Sequence, residues 1–166
     1  PNKKIDPQTD STNCLSVCSA TVEIYCHFSA PDFEQPWPLL RQSLSTSSGF
    51  VVKYNDELLI VTNAHAVTNF SSVSVKRHGG SRKYIAQVLC IADSVDLAFL
   101  NILDPQFWSD VEPLTIGGIP PLQSNVVVVG YPTGGDSLSF TSGVVSRLGV
   151  TTYAHSGDSN LSIQLD

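Results

Sequence analysis

Charge is scarce in this chain, and scarcest on the basic side. Of 166 residues 14% are charged, with 9 lysines and arginines against 15 aspartates and glutamates, for a formal net charge of −6. That balance argues against nucleic acid or an anionic membrane as the main partner, because both call for a basic surface. The one basic cluster, Lys76-Arg77-His78 with Arg82-Lys83, flanks Gly79-Gly80 and reads as a solvated hairpin tip. Methionine is missing altogether, position 1 included; the expectation is a fragment, a processed form or a trimmed chain. No apolar run approaches the roughly 20 residues that cross a bilayer as a helix, so no integral membrane segment is expected. No secretory signal is visible.

Metal-binding patterns are also lacking. The four cysteines, Cys14, Cys18, Cys26 and Cys90, contain no Cys-x-x-Cys pair. No His-x-His or His-Glu-x-x-His spacing occurs, and a zinc site needs at least three convergent ligands, so no metal is expected. Gly134-Gly135-Asp136 has neither the lysine nor the following helix of a phosphate loop and reads as a turn. Cys26 and Cys90 lie inside apolar strands, where the expectation is a small buried hydrophobe. Whether Cys14 and Cys18 are exposed thiols stays open.

What is present is apolar and β-patterned: 42% of residues are hydrophobic. Residues 1–13 are polar and read as a disordered lead-in. Val22, Ile24, Cys26 and Phe28 alternate, the period of a half-buried strand. Residues 31–38 break regular structure, with Trp37 expected to anchor that loop. Strand patterns then follow at 49–54, 58–62, 73–77, 84–91 and 97–103, with Asn55-Asp56 and His78–Ser81 as hairpin turns. No window reads as a long amphipathic helix. Residues 104–123 are rich in Pro and Gly, and 108–123 read as a connection between two β units. Further strands are expected at 126–130, 139–147 and 161–166. Short, evenly spaced strands with turn residues between them predict an all-β barrel or sandwich. Three strands are too few to close a second barrel.

Two segments carry chemistry. Val61-Thr62-Asn63-Ala64-His65 sets a histidine after an apolar strand, and Asp96-Leu97-Ala98-Phe99-Leu100 sets an aspartate before one. An imidazole accepts and returns a proton near neutral pH. A carboxylate at the mouth of an apolar strand needs a donor, and an imidazole N–H is one. Asp93 competes with Asp96, which is preferred because it abuts the apolar run. His27 reads as outward-facing and inert, His78 as a turn-tip residue, and His155 as part of a polar loop. No serine stands in a Gly-x-Ser-Gly setting.

Residues 47–166 resemble the trypsin-like domain of the HtrA family, also called DegP or protease Do-like. The matching pieces are Ser48-Gly49-Phe50-Val51-Val52, Thr62-Asn63-Ala64-His65, Asp96-Leu97-Ala98-Phe99-Leu100, Val129-Gly130-Tyr131-Pro132 and Thr141-Ser142-Gly143-Val144-Val145-Ser146. Ser48 stands where the family often has glycine. The plant organellar branch is closer still, on Lys83-Tyr84, Phe107-Trp108, Gly134-Gly135-Asp136 and Tyr153-Ala154-His155 with Gly157, and also on Ala30-Pro31-Asp32 with Pro36-Trp37.

The resemblance implies a trypsin-like double β-barrel, its first barrel complete (14–107) and its second truncated (124–166). It implies a serine endopeptidase of protein quality control, with His65 the general base and Asp96 its orienting partner. The nucleophile and oxyanion hole would follow residue 166, so the chain alone is expected to be inactive. The alternative is a non-catalytic β domain acting in binding or regulation. Unfolded or damaged proteins as substrates, a homo-oligomer (trimer or higher), downstream PDZ domains, no cofactor, and a eukaryotic organelle, chloroplast ahead of mitochondrion, complete the implied picture.

Overall fold

The computed structural model describes residues 15–34, 39–132, 135, 137–154 and 156–166. The expected lead-in at 1–13, Cys14, Trp37 and His155 lie outside the described residues. Six antiparallel strands close a barrel: β1 (Thr21–Phe28), β2 (Ser43–Tyr54), β3 (Glu57–Thr62), β4 (Phe70–Arg77), β5 (Lys83–Ala92) and β6 (Leu97–Asn101), in the order β1-β2-β3-β6-β5-β4. A second, three-stranded sheet holds β7 (Asn125–Gly130), β8 (Ser139–Thr152) and β9 (Ser159–Leu165) in that order. The protein is therefore all-β, a closed barrel with a partial second sheet.

Local chemistry explains the strand joints. Asn55 and Asp56 both take the left-handed region, with φ of 48° and 66°. Two such residues make a primed turn, whose twist matches the strands it joins, and Tyr54 pairs with Glu57 across it. Gly79 supplies the positive φ of 70° needed between β4 and β5. Gly49 serves close approach: a Cβ there would stand 2.6 Å from Ile24 Cδ1.

The barrel interior is filled by inward residues from its strands, among them Ile24, Val51, Ile60, Val75 and Leu100, all fully buried. Phe107 completes it from outside the strands. Asp104 caps a single helical turn, Pro105–Trp108, by accepting the Gln106 N–H at 2.9 Å. Proline at its start already has the required φ. The turn drives Phe107 into the core, edge-on to Tyr84 and Trp108 at centroid distances of 5.2 and 4.8 Å. Trp108 Nε1 fixes the turn by donating to the Ile102 carbonyl at 2.8 Å. Beyond it, Leu114 donates its N–H to Val51 O at 2.8 Å, so the Pro-rich connection lies along β2.

Four sequence expectations need correction. β1 is not half-buried: its first six residues are buried on both faces. Its outer face carries Glu23 and Tyr25, covered by Lys76 and Lys83, where alternation alone gives no sign of a cover. Cys90 is exposed, not buried. A register shift between Val88 and Cys90 breaks the alternation there, so Leu89 and Cys90 both face solvent. β2 begins six residues before the expected start at Gly49, through a Ser/Thr-rich stretch held by pairing with β1. β8 runs on to Thr152, past the expected end at Arg147.

The second sheet meets the barrel at Ser48. Ser48 Oγ accepts the Tyr131 N–H at 2.7 Å and donates to Tyr131 O at 3.2 Å. Glu23 and Lys76, directly opposite in the β1–β4 register, form an ion pair of 3.0 Å beneath this seam. Burial raises the Tyr131 phenol above its ordinary range, and the Glu23 charge adds to that.

Phe107→Ala removes a fully buried ring from the barrel core. It is expected to lower the unfolding free energy by about 3–5 kcal/mol. Urea unfolding followed by tryptophan fluorescence measures this, and a loss under about 1 kcal/mol would show that the core closes without the ring.

Candidate active site

β3 ends at Thr62, and the chain turns at once. Val67 N–H donates to Ala64 O at 3.0 Å and Ala66 N–H to Asn63 O at 3.2 Å, closing a short helical turn. Ala64 and Val67, three apart, are both buried and pin one side of it. His65 lies between them on the other side, its side chain 45% exposed. The sequence places a small and a branched apolar residue where the turn must dock, and the imidazole is thereby held at the barrel rim. Thr62 Oγ1 donates to Ser48 O at 2.9 Å and fixes the strand end.

Asp96 comes from the other side of the same rim. Residues 93–95 form a single 3₁₀ turn, and Asp96 ends it in the left-handed region at φ 52°. Aspartate tolerates this conformation better than most residues. β6 starts at Leu97 and pairs with β3 beginning at Ala98↔Thr62, so the two segments leave adjacent strands side by side.

The two predicted residues meet. His65 Nδ1 stands 2.7 Å from Asp96 Oδ2, and the His65 backbone N–H donates to Oδ1 at 2.8 Å. Asn63 Nδ2 donates to Oδ2 at 2.9 Å and to the Asp96 carbonyl at 3.3 Å. The Tyr153 hydroxyl, from the β8–β9 connection, also donates to Oδ2. Burial of Asp96 by itself raises its carboxyl. The Tyr153 hydroxyl, then the His65 backbone and ring, outweigh that and hold it at about 2. Asp96 is thus an anion at any ordinary pH. In turn its acceptance pushes the Tyr153 phenol up, so Tyr153 remains a donor. An ionised acceptor at Nδ1 keeps the proton on that nitrogen of a neutral imidazole.

Asp93, the competing acid, is exposed; it lines the same cavity of about 440 Å³ as His65, Thr68 and Asp96. His78 is elsewhere, its Nδ1 3.5 Å from the Tyr131 hydroxyl, and His27 lies half-buried in β1. Sequence reasoning assigned no role to Asn63 or Tyr153. Asn63 stood inside the motif that carries His65, two residues before it. Tyr153 is 57 residues from Asp96; its loop carries the family resemblance but no signal that ties it to the acid. Among the described residues no group of three or more His, Cys, Asp and Glu converges as a metal site.

Residues 47–165 match the trypsin-like peptidase domain. Protease Do-like 2, chloroplastic, of Arabidopsis thaliana is 45% identical over 163 residues, 97% of this chain and 26% of that protein. Putative protease Do-like 3, mitochondrial, of the same plant is 45% identical over 148 residues, 89% of this chain and 26% of that protein. The chain thus spans about a quarter of the length of these relatives. Among solved structures, the HtrA-type protease AlgW with a decapeptide superposes with a TM-score of 0.66 at 18% identity, covering 93% of this chain and 51% of that one. At that identity the likeness concerns the fold.

The pH dependence of stability follows from Asp96. Its carboxyl sits at about 2 when folded, against about 3.9 unfolded. The unfolded state therefore takes up the proton first as pH falls. The stability Asp96 contributes is complete above pH 4–5 and is lost as pH drops towards 2, roughly 2 kcal/mol in all. Asp96→Asn is expected to lack this part of the acid limb. Unfolding free energies measured from pH 6 to pH 2 check it, and parallel curves for variant and parent would contradict it.

Proposed function

This chain belongs to the trypsin-like peptidase family, on its HtrA/Deg branch, and from that premise we propose that it supplies the base and acid of a serine endopeptidase. What supports the reading is the 2.7 Å contact between His65 Nδ1 and Asp96 Oδ2 at the barrel rim. With Nδ1 turned to Asp96, Nε2 is the nitrogen that exchanges the proton. A serine hydroxyl attacks the scissile carbonyl, His65 takes its proton, and then gives it to the leaving amine. Asp96 stays ionised throughout, fixes the tautomer and stabilises the imidazolium.

The nucleophile belongs, in this reading, to a segment after residue 166, together with the backbone donors of the oxyanion hole. Residues 14–107 form the unit that carries base and acid, 108–123 the connection, and 124–166 part of a second barrel. Residues 1–166 alone are then inactive, and measurable casein cleavage by the pure chain would contradict this. The peptide bound to AlgW and the Do-like names of the relatives support protein substrates, unfolded or damaged chains among them. The chloroplastic and mitochondrial names of those relatives support a plant organelle, with the chloroplast placed first.

The test uses the gene product carried past residue 166. A Gly-Asn-Ser-Gly-Gly segment within about ten codons supports the enzyme; a stop codon or a replaced serine supports a binding or regulatory β domain instead. In the longer protein, His65→Ala is expected to abolish labelling by a fluorophosphonate probe, and full labelling would remove His65 from the mechanism. Asp96→Asn is expected to lower kcat by roughly 10⁴. The same loss in Asp93→Asn, with Asp96→Asn spared, would move the role to the other acid.

A further inference from the structure

Asp96 Oδ2 is over-subscribed. It faces Asn63 Nδ2 at 2.9 Å, His65 Nδ1 at 2.7 Å and the Tyr153 hydroxyl. A carboxylate oxygen offers about two lone pairs, so the donors divide one supply of charge. Tyr153 does not arrive there by chance. Its own N–H donates to Asp158 O at 2.8 Å and its carbonyl accepts the Gly157 N–H at 2.8 Å, closing the loop between β8 and β9. Gly157 permits that closure at φ 74°. The loop is then fastened to the turn that bears the acid: Ser156 Oγ and Asn160 Nδ2 donate to Ser94 O at 3.3 and 3.0 Å.

We propose that Tyr153 is a positioning residue for the base: it holds Asp96 Oδ2 from the second sheet and, by competing with His65 Nδ1 for that oxygen, keeps the imidazole less basic than the acid alone would make it. The proposal rests on the reading of His65 as a base. The physical need is plain. A buried carboxylate with no competing donor lends its full charge to the imidazolium, and a base that is already protonated at working pH accepts nothing. A hydroxyl on the same oxygen draws off part of that charge without neutralising it. Among the described residues, the titratable groups that touch Asp96 or line its cavity are His65 from the turn after β3, Tyr153 from the β8–β9 loop, and Asp93 from its own turn. Asn63 is neutral and remains in every variant below.

The experiment is the ring titration of His65 by NMR in the chain of residues 1–166, which needs no nucleophile. Its signal is assigned by its loss in His65→Gln. Tyr153→Phe removes the hydroxyl and keeps the ring, and is expected to raise the His65 pKa by about 0.5–1 unit. Replacing Tyr153 with 3-fluorotyrosine, a stronger donor of nearly the same size, is expected to lower it. The fluorinated chain keeps the test decisive if the phenylalanine variant folds poorly. An unchanged His65 pKa in both, or a shift in the same direction, would overturn the proposal and leave Tyr153 a merely structural contact. Failure of fluorophosphonate labelling in the longer protein sinks the enzyme reading while these shifts stand. Labelling with no shifts sinks the role of Tyr153 alone.

Discussion

One carboxylate decides how the parts of this protein sit together. Asp96 is buried at the rim of a β-barrel, on a residue held in the left-handed region. Left alone, a buried carboxylate protonates or is expelled to water, because desolvation disfavours its charge. Here donors from the turn after β3 and from the β8–β9 loop converge on it. They bring the carboxyl down to about 2 in spite of burial. The buried charge thus depends on these donors, and the same donors orient the imidazole. Structure and chemistry depend on the same few hydrogen bonds.

A second polar cluster lies at the seam of the two sheets. Glu23 is 1% exposed and faces Lys76 across the β1–β4 pair. A buried ion pair of this kind is weak evidence for stability, since desolvation opposes its Coulomb gain. Its partner groups suggest a different use. Tyr131 is near enough for the Glu23 charge to raise its phenol, its backbone is clamped by the Ser48 side chain, and the Ser48 carbonyl accepts from Thr62 at the end of β3. Where the family often has glycine, this serine ties the strand that leads to His65 to the second sheet. A Cβ at Gly130 would stand 2.9 Å from Ser48 Oγ, so the close approach needs glycine on the facing strand.

The strands were legible because period two and turn chemistry act locally. β1 has the bounds its alternation predicts, Thr21–Phe28, and Asn55-Asp56 turns where two residues must take positive φ. What could not be read was set by partners distant in sequence. The outer face of β1 carries Thr21, Glu23 and Tyr25, polar enough to look solvated, yet buried, with Lys76 on Glu23 and Lys83 over the Tyr25 ring. Cys90 reads as a strand-core residue until a bulge, invisible to periodicity, turns it outward. The single helical turn at Pro105–Trp108 is too short for any periodic signal, although Asp104-Pro105 is a start pattern. At the site, His65 and Asp96 stand out because each abuts an apolar strand. Tyr153 does not, because its role depends on a loop folding back over a turn 57 residues earlier.

The division of labour between the two sheets follows from rigidity. His65 and Asp96 both flank strands of the closed barrel, β3 and β6, whose pairing at Thr62↔Ala98 fixes their separation. A closed barrel has no edge strand to fray, so this spacing tolerates little drift. The second sheet contributes a hydroxyl through a loop, the kind of element that moves more readily than a strand. The contact of His65 with Asp96 comes from the barrel alone, whereas one donor on Oδ2 comes from that loop. The geometry of the pair is therefore held by the barrel, while its electrostatics answer to how the second sheet docks. A histidine–aspartate pair built wholly within one barrel would have no such dependence.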